Sequence, residues 1–293
     1  MRFVAIGDSF TEGVGDVRPD GGLRGWADLV AAGLSAALAE RGEPVEYANL
    51  AIRGRLLRPI VTGQLEAALA LDPAADLLTL NGGGNDMLRP GVRLNQLLEL
   101  TEHAIRRCVE AGVRPVLLSG ADPTAQLPLG RMVHRRAAYL TAGLAELCAR
   151  HGVTLVNCFA DQEIRDPRYW TVDRLHLNSH GHERVAGLVL HALGFAPAPA
   201  APAAFAASDA TLATTPDPTS AAASAQGVAT NARYYREHVL PWINRRLRGR
   251  SSGDNREAKH PNWQLVTPPA APAPTTPAAA SVPAAAGAEL TAE

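Results

Sequence analysis

The chain has 293 residues, with 28 Lys and Arg against 29 Asp and Glu, and a formal net charge of −1 at pH 7. That balance excludes a protein built as a whole to bind nucleic acid or an anionic membrane. No apolar stretch approaches the ~18 residues of a spanning helix, and Cys108, Cys148 and Cys158 lack a CxxC or metal-like spacing, so they read as buried inert thiols.

In chain order, the first aliphatic run covers residues 2–6 and leads straight into Gly7-Asp8-Ser9-Phe10-Thr11-Glu12. A helical pattern follows, with Leu29, Leu34, Ala37 and Leu38 at three and four spacing. A second run at 45–50 leads to Ala51-Ile52-Arg53-Gly54, and a helix is predicted over 64–71. A third run at 76–80 precedes Gly82-Gly83-Gly84-Asn85-Asp86, and Leu97, Leu98, Ala104 and Ile105 repeat the helical spacing. Further runs at 114–119 and 153–157 alternate with helices predicted over 131–151 and 179–193. The order βαβαβαβαβα predicts an α/β fold, a doubly wound sandwich around a five-stranded parallel sheet. Ligands in such sheets bind beyond the carboxyl ends of the strands, where three of the polar motifs fall. The first strand begins at Arg2 without a signal-like segment, and a cytoplasmic location is expected.

Composition divides the chain into a globular domain over 1–195, a Pro/Ala-rich linker over 196–227, a basic amphipathic helical arm over 228–263 and a low-complexity, disordered tail over 264–293. Between 228 and 260, eight Arg and Lys face three acidic residues, interleaved with Tyr234, Tyr235, Trp242 and Ile243. Pro241 suits the first turn of a helix over 242–247. Two readings of the arm stay open: it folds back on the globular domain through its aromatic residues, or it makes weak contact with an anionic surface. No nucleic-acid partner is expected for the core.

The chemistry is carried by residues far apart in sequence. A serine hydroxyl is a poor nucleophile near neutral pH unless a base takes its proton, and a third group must hold that base in one tautomer. Ser9 lies at a strand-to-helix turn, and Asp173 and His176 stand three apart near the end of the domain. Those are the residue types that acyl transfer needs. Backbone N–H groups of Ser9 and Gly54, with the Asn85 amide, predict a three-donor oxyanion hole, each donor worth about 3–4 kcal/mol of barrier. A phosphate cradle at Gly82–Gly84 lacks the Gly-Lys-Ser/Thr that a P-loop requires.

On these residues the chain resembles the SGNH hydrolases, also called GDSL esterases and lipases. The four letters fall on Ser9, Gly54, Asn85 within Gly83-Gly84-Asn85-Asp86, and His176 within Asp173-Arg174-Leu175-His176, and the resemblance covers about residues 2–194. Phe10 replaces the leucine of the name motif, and Leu177 stands where a proline often follows the histidine. The resemblance implies a flavodoxin-like three-layer α/β/α sandwich and a serine hydrolase with no cofactor and no metal, acting on a small-molecule ester. Ser9 is then the nucleophile, His176 the base and Asp173 the residue that orients it.

Rival readings exist. Asp173, His176, His180 and His182 could form a metal set, but that leaves Ser9, Gly54 and Asn85 unexplained. His182 reads as a structural hydrogen-bonder, Asp8 as a turn and helix-start residue, and Asp86 as a brace for the Asn85 loop. Trp26 reads as core; Trp170 reads equally as core or as a pocket wall. The expected activity is hydrolysis of a carboxylic ester through an acyl enzyme. The alternatives are an acyltransferase with a non-water acceptor and a catalytically idle binding module.

Overall fold

In the computed structural model, which describes residues 1–124, 127, 130–199 and 252–268, the chain is organised around β1, Arg2–Ile6. Phe3, Val4, Ala5 and Ile6 are all 0% exposed, so both faces of this strand are covered. A continuous aliphatic run without polar alternation is what such a position demands. The other parallel strands are β2 Val45–Asn49, β3 Leu77–Leu80, β4 Arg114–Leu118 and β5 Thr154–Val156. The sheet order is β5-β4-β3-β1-β2, extended at the β2 edge by β6, His260–Val266, which runs antiparallel. The order reverses between β1 and β3, so their carboxyl ends frame the crevice where ligands bind in doubly wound sheets.

Helices cover both faces, giving the three-layer sandwich expected. On one face Phe3 and Ala5 pack with Trp26, Val30 and Leu34 of α2 (Trp26–Ala39) and Val185 and Val189 of α8 (Ser179–Ala192). On the other, Val4 and Ile6 meet Leu57 of α3 (Leu57–Pro59), Leu65 of α4 (Leu65–Leu69), Ile105 of α6 (Leu94–Glu110) and Leu144 of α7 (Gly130–His151). Two helices of one turn each, α1 (Ser9–Glu12) and α5 (Gly84–Met87), follow β1 and β3 at the crevice. A π-helical turn, Ile60–Gln64, joins α3 to α4, so the helical stretch begins seven residues before the expected 64. Pro59 lies in the first turn of that stretch, where no intrahelical N–H bond is required and proline is accommodated.

The largest difference from the sequence reading is at the C-terminal end. The sheet has six strands, not five, and the sixth comes from residues assigned to the arm and the tail. The boundary drawn at 263/264 falls inside β6. Residues 228–251 and 269–293, including the helix predicted over 242–247, lie outside the described residues. Trp263 Nε1 donates to Pro73 O at 2.9 Å, the Ser35 hydroxyl donates to Val266 O at 2.8 Å, and Trp263 and Val266 pack against opposite core clusters. An edge strand tolerates Pro261, which has no N–H to give to a ladder. Among the described residues no helix is long and apolar enough to cross a membrane.

Deleting residues 252–293 removes this strand and its anchors. Roughly 2–4 °C of melting temperature accompanies each kcal/mol in a domain of this size, so a fall of at least ~4 °C is expected in a thermal melt. An unchanged melting temperature would mean that β6 adds no net stability.

Candidate active site

Ser9 is placed by a turn with little freedom. The Gly7 N–H donates to Gln64 Oε1 at 2.8 Å, and Gln64 Nε2 donates back to Gly7 O at 2.9 Å, both buried. A Cβ on Gly7 would lie 2.5 Å from Thr11 Oγ1 and 2.8 Å from Asn81 O, so only glycine permits this approach. Asp8, 4% exposed, caps α1 by accepting from the Phe10 N–H at 3.1 Å. Ser9 is the first residue of α1, where the backbone N–H has no intrahelical partner.

The loop after β2 is tied to that turn. Glu12 Oε2 accepts from the Arg53 N–H at 2.7 Å, and Arg53 Nε donates to Glu12 Oε1 at 2.9 Å. Gly54 follows at φ +75°, a left-handed conformation that favours glycine. The loop after β3 joins both: Asn85 Nδ2 donates to Asp8 Oδ2 at 2.9 Å and to Arg55 O at 3.1 Å, while Asp86 Oδ2 accepts from the Leu57 N–H at 2.9 Å. Asp86 thus braces the Asn85 loop, as its position suggests. Three motifs separated by some thirty to eighty residues form one hydrogen-bonded unit.

Asp173 and His176 arrive on the loop before α8. Arg174 adopts φ +57°, uncommon for a non-glycine residue, and the turn is held by Asp173 Oδ1, which accepts from the Thr171 hydroxyl at 2.6 Å, the Leu175 N–H at 2.9 Å and the His176 N–H at 3.0 Å. The second oxygen, Oδ2, lies 2.6 Å from His176 Nδ1. Burial opposes ionisation of Asp173, but the hydrogen bond and charge of His176, with the Thr171 and backbone bonds, hold it well below the usual carboxylate range. An ionised Asp173 makes Nδ1 the protonated ring nitrogen and leaves the lone pair on Nε2. This loop lies against the turn after α1: a Cβ on Gly15 would meet Leu177 O at 1.9 Å and Thr171 Cγ2 at 2.9 Å. Among the described residues no hydrogen bond joins the Ser9 hydroxyl to His176; such contacts commonly tighten only when substrate is bound.

Neighbouring candidates sort themselves by partner. His182 is buried, with Nδ1 accepting from the Trp26 N–H at 3.2 Å and Nε2 facing Val14 O at 3.3 Å, so both ring nitrogens are engaged with backbone. Trp26 is 0% exposed, and Trp170 is 7% exposed with Nε1 donating to Ile164 O at 2.7 Å; both belong to the core. The three cysteines are buried, and burial pushes their thiols up to about 12, 11 and 12 for Cys108, Cys148 and Cys158.

Residues 5–184 match the GDSL-like lipase/acylhydrolase family. The chain belongs to that family. Among solved structures this GDSL-like hydrolase is similar to TesA, at 22% identity and TM-score 0.52, covering 66% of this chain and 98% of that one. It is similar to the lipase Lip_vut3 from a goat rumen metagenome, at 19% identity and TM-score 0.56, covering 67% and 98%. It is also similar to Axe2, an acetylxylan esterase from Geobacillus stearothermophilus, at 18% identity and TM-score 0.54, covering 67% and 96%. Identities this low establish a shared fold. No curated protein matches the chain in sequence.

Two buried groups of this GDSL-like hydrolase oppose each other as pH falls. Burial lowers His182 from 6.5 to about 4, so its contribution to stability is full above pH 6.5 and is lost as pH falls through about 4. Burial raises Asp8 from 3.8 to about 6, so the folded state takes up a proton that the unfolded state does not, and stability is gained as pH falls through about 6. Asp8→Asn is therefore expected to lose more stability than the parent between pH 7 and 4.5, by on the order of 2 kcal/mol. Urea titrations of both proteins at the two pH values measure this; equal losses would contradict the raised Asp8.

Proposed function

We propose that the protein hydrolyses carboxylic esters through an acyl enzyme on Ser9. The observation that carries this reading is the 2.6 Å contact of His176 Nδ1 with an ionised Asp173, on a loop laid against the turn that follows Ser9. Ser9 Oγ attacks the ester carbonyl carbon as His176 Nε2 takes its proton, and Asp173 stabilises the imidazolium. Collapse of the tetrahedral intermediate expels the alkoxide, which takes the proton back from His176. Water then attacks the acyl enzyme by the same route, releasing the acid and restoring Ser9.

The negative charge on the tetrahedral oxygen falls to the Ser9 and Gly54 N–H groups and the Asn85 amide. Asn85 enters the reaction with both amide hydrogens directed at Asp8 and Arg55 O, so one of them must be shared with the oxyanion. Arg55 O is the neutral acceptor of the two, and its bond is the one expected to yield.

Ser9→Ala is expected to abolish hydrolysis of p-nitrophenyl esters while the melting temperature stays near the parent's. Activity within a few-fold of the parent would remove Ser9 from the mechanism. Asn85→Ala is expected to lower kcat by on the order of 10²–10³, the effect of losing one oxyanion donor; an unchanged kcat where chemistry limits the rate would exclude it. Activity should be indifferent to EDTA, because every step uses side chains and water, and loss with EDTA followed by recovery with zinc would overturn the scheme.

A further inference from the structure

Lys259 lies 75 residues beyond the family match, on the segment that leads into β6, yet its ammonium reaches the turn carrying Ser9. It donates to Glu12 O at 3.0 Å, to Leu23 O at 3.3 Å and to Asp28 Oδ2 at 2.6 Å. These three acceptors match the three protons of an ammonium group, and the lysine and aspartate side chains are only 15% and 12% exposed. Glu12 closes α1, the four-residue helix that Ser9 opens, and its carboxylate holds Arg53 next to Gly54. Six residues before Lys259, the segment touches the same loop from outside: a Cβ on Gly253 would lie 2.1 Å from Arg53 O.

We propose that residues 252–259 form a clasp that positions the nucleophile turn and the Gly54 loop relative to each other, with Lys259 as its positioning residue. The inference rests on the assignment of Ser9 and Gly54 to nucleophile and oxyanion donor. The clasp grips both partners, Glu12 through Lys259 and Arg53 through Gly253. Its seam is polar, with a half-open cleft of about 370 Å³ between Glu12, Leu23 and Arg53 on one side and Arg256, Glu257 and Lys259 on the other. Hydrogen bonds and charge, more than dry apolar packing, therefore set its register. Because Lys259 touches no reacting atom, its removal acts on the alignment of groups used in the transition state, which lowers kcat more than it raises KM.

The test uses the full chain and a short-chain p-nitrophenyl ester, well below the melting temperature. Lys259→Met keeps the alkyl stem and removes the donors; it is expected to lower kcat by ~10-fold or more with KM within about two-fold, since small misplacements at a reacting centre are costly. Lys259→Arg restores a cation and should recover most of the loss. Gly253→Ala leaves the lysine in place and pushes on Arg53 O; it should give the same kcat-selective loss. Variants whose kcat stays within about two-fold of the parent, or which only melt earlier, would overturn the clasp. Labelling by a fluorophosphonate separates the two premises: a parent not labelled at Ser9 overturns the nucleophile assignment itself, whereas a labelled parent with fully active variants overturns only the clasp.

Discussion

The bond between the Asp8 carboxylate and the Asn85 amide is the interaction on which the rest of the site depends. Asp8 is nearly fully buried at the end of β1, where an ionised carboxylate is costly unless hydrogen bonds replace its water. One oxygen caps α1 and so sets the orientation of Ser9; the other accepts a hydrogen bond from the Asn85 amide and so fixes the loop after β3. Burial leaves the group easier to protonate than an ordinary aspartate, at about 6. A residue that looks like a simple turn former is in fact the link between the candidate nucleophile and a candidate oxyanion donor.

Around that link each motif is fastened to another by a side chain that reaches a backbone group. Glu12 takes the Arg53 N–H, Asp86 takes the Leu57 N–H, Asn85 reaches Arg55 O, and His182 reaches Trp26 and Val14. Contacts of this type fix loop backbones, which a parallel sheet alone leaves free beyond its strand ends. The buried Gln64 does the same for Gly7 through a two-way bond. The candidate catalytic groups thus sit on loops whose positions are set by a common scaffold, with β1 and β3 supplying the rigid base.

The sheet edge shows a different logic. A parallel sheet ending at β2 would present a row of unpaired N–H and C=O groups, and β6 covers it with a strand drawn from far along the chain. Its sequence, His260-Pro261-Asn262-Trp263-Gln264-Leu265-Val266, has a proline, little aliphatic content and an exposed Leu265, so it lacks the pattern of the interior strands. Only the existing edge of β2 makes it a strand. The five parallel strands, by contrast, were readable because burial on both faces requires the uninterrupted aliphatic runs that mark them.

The sequence by itself determined the α/β class and the positions of five strands to within about two residues, and it singled out Ser9, Gly54, Asn85, Asp173 and His176 as candidates, because both depend on local pattern: aliphatic run and helical spacing for the fold, glycine and polar residues in short motifs for the candidates. Tertiary structure alone decided that Asp8 holds Asn85, that Glu12 holds Arg53, that Trp170 is core and that Lys259 meets α1. The three polar contacts among these join residues 41 to 247 positions apart. No local pattern encodes them, since the partner of a buried charge is chosen by which backbone and side-chain groups the completed sheet brings within hydrogen-bonding distance.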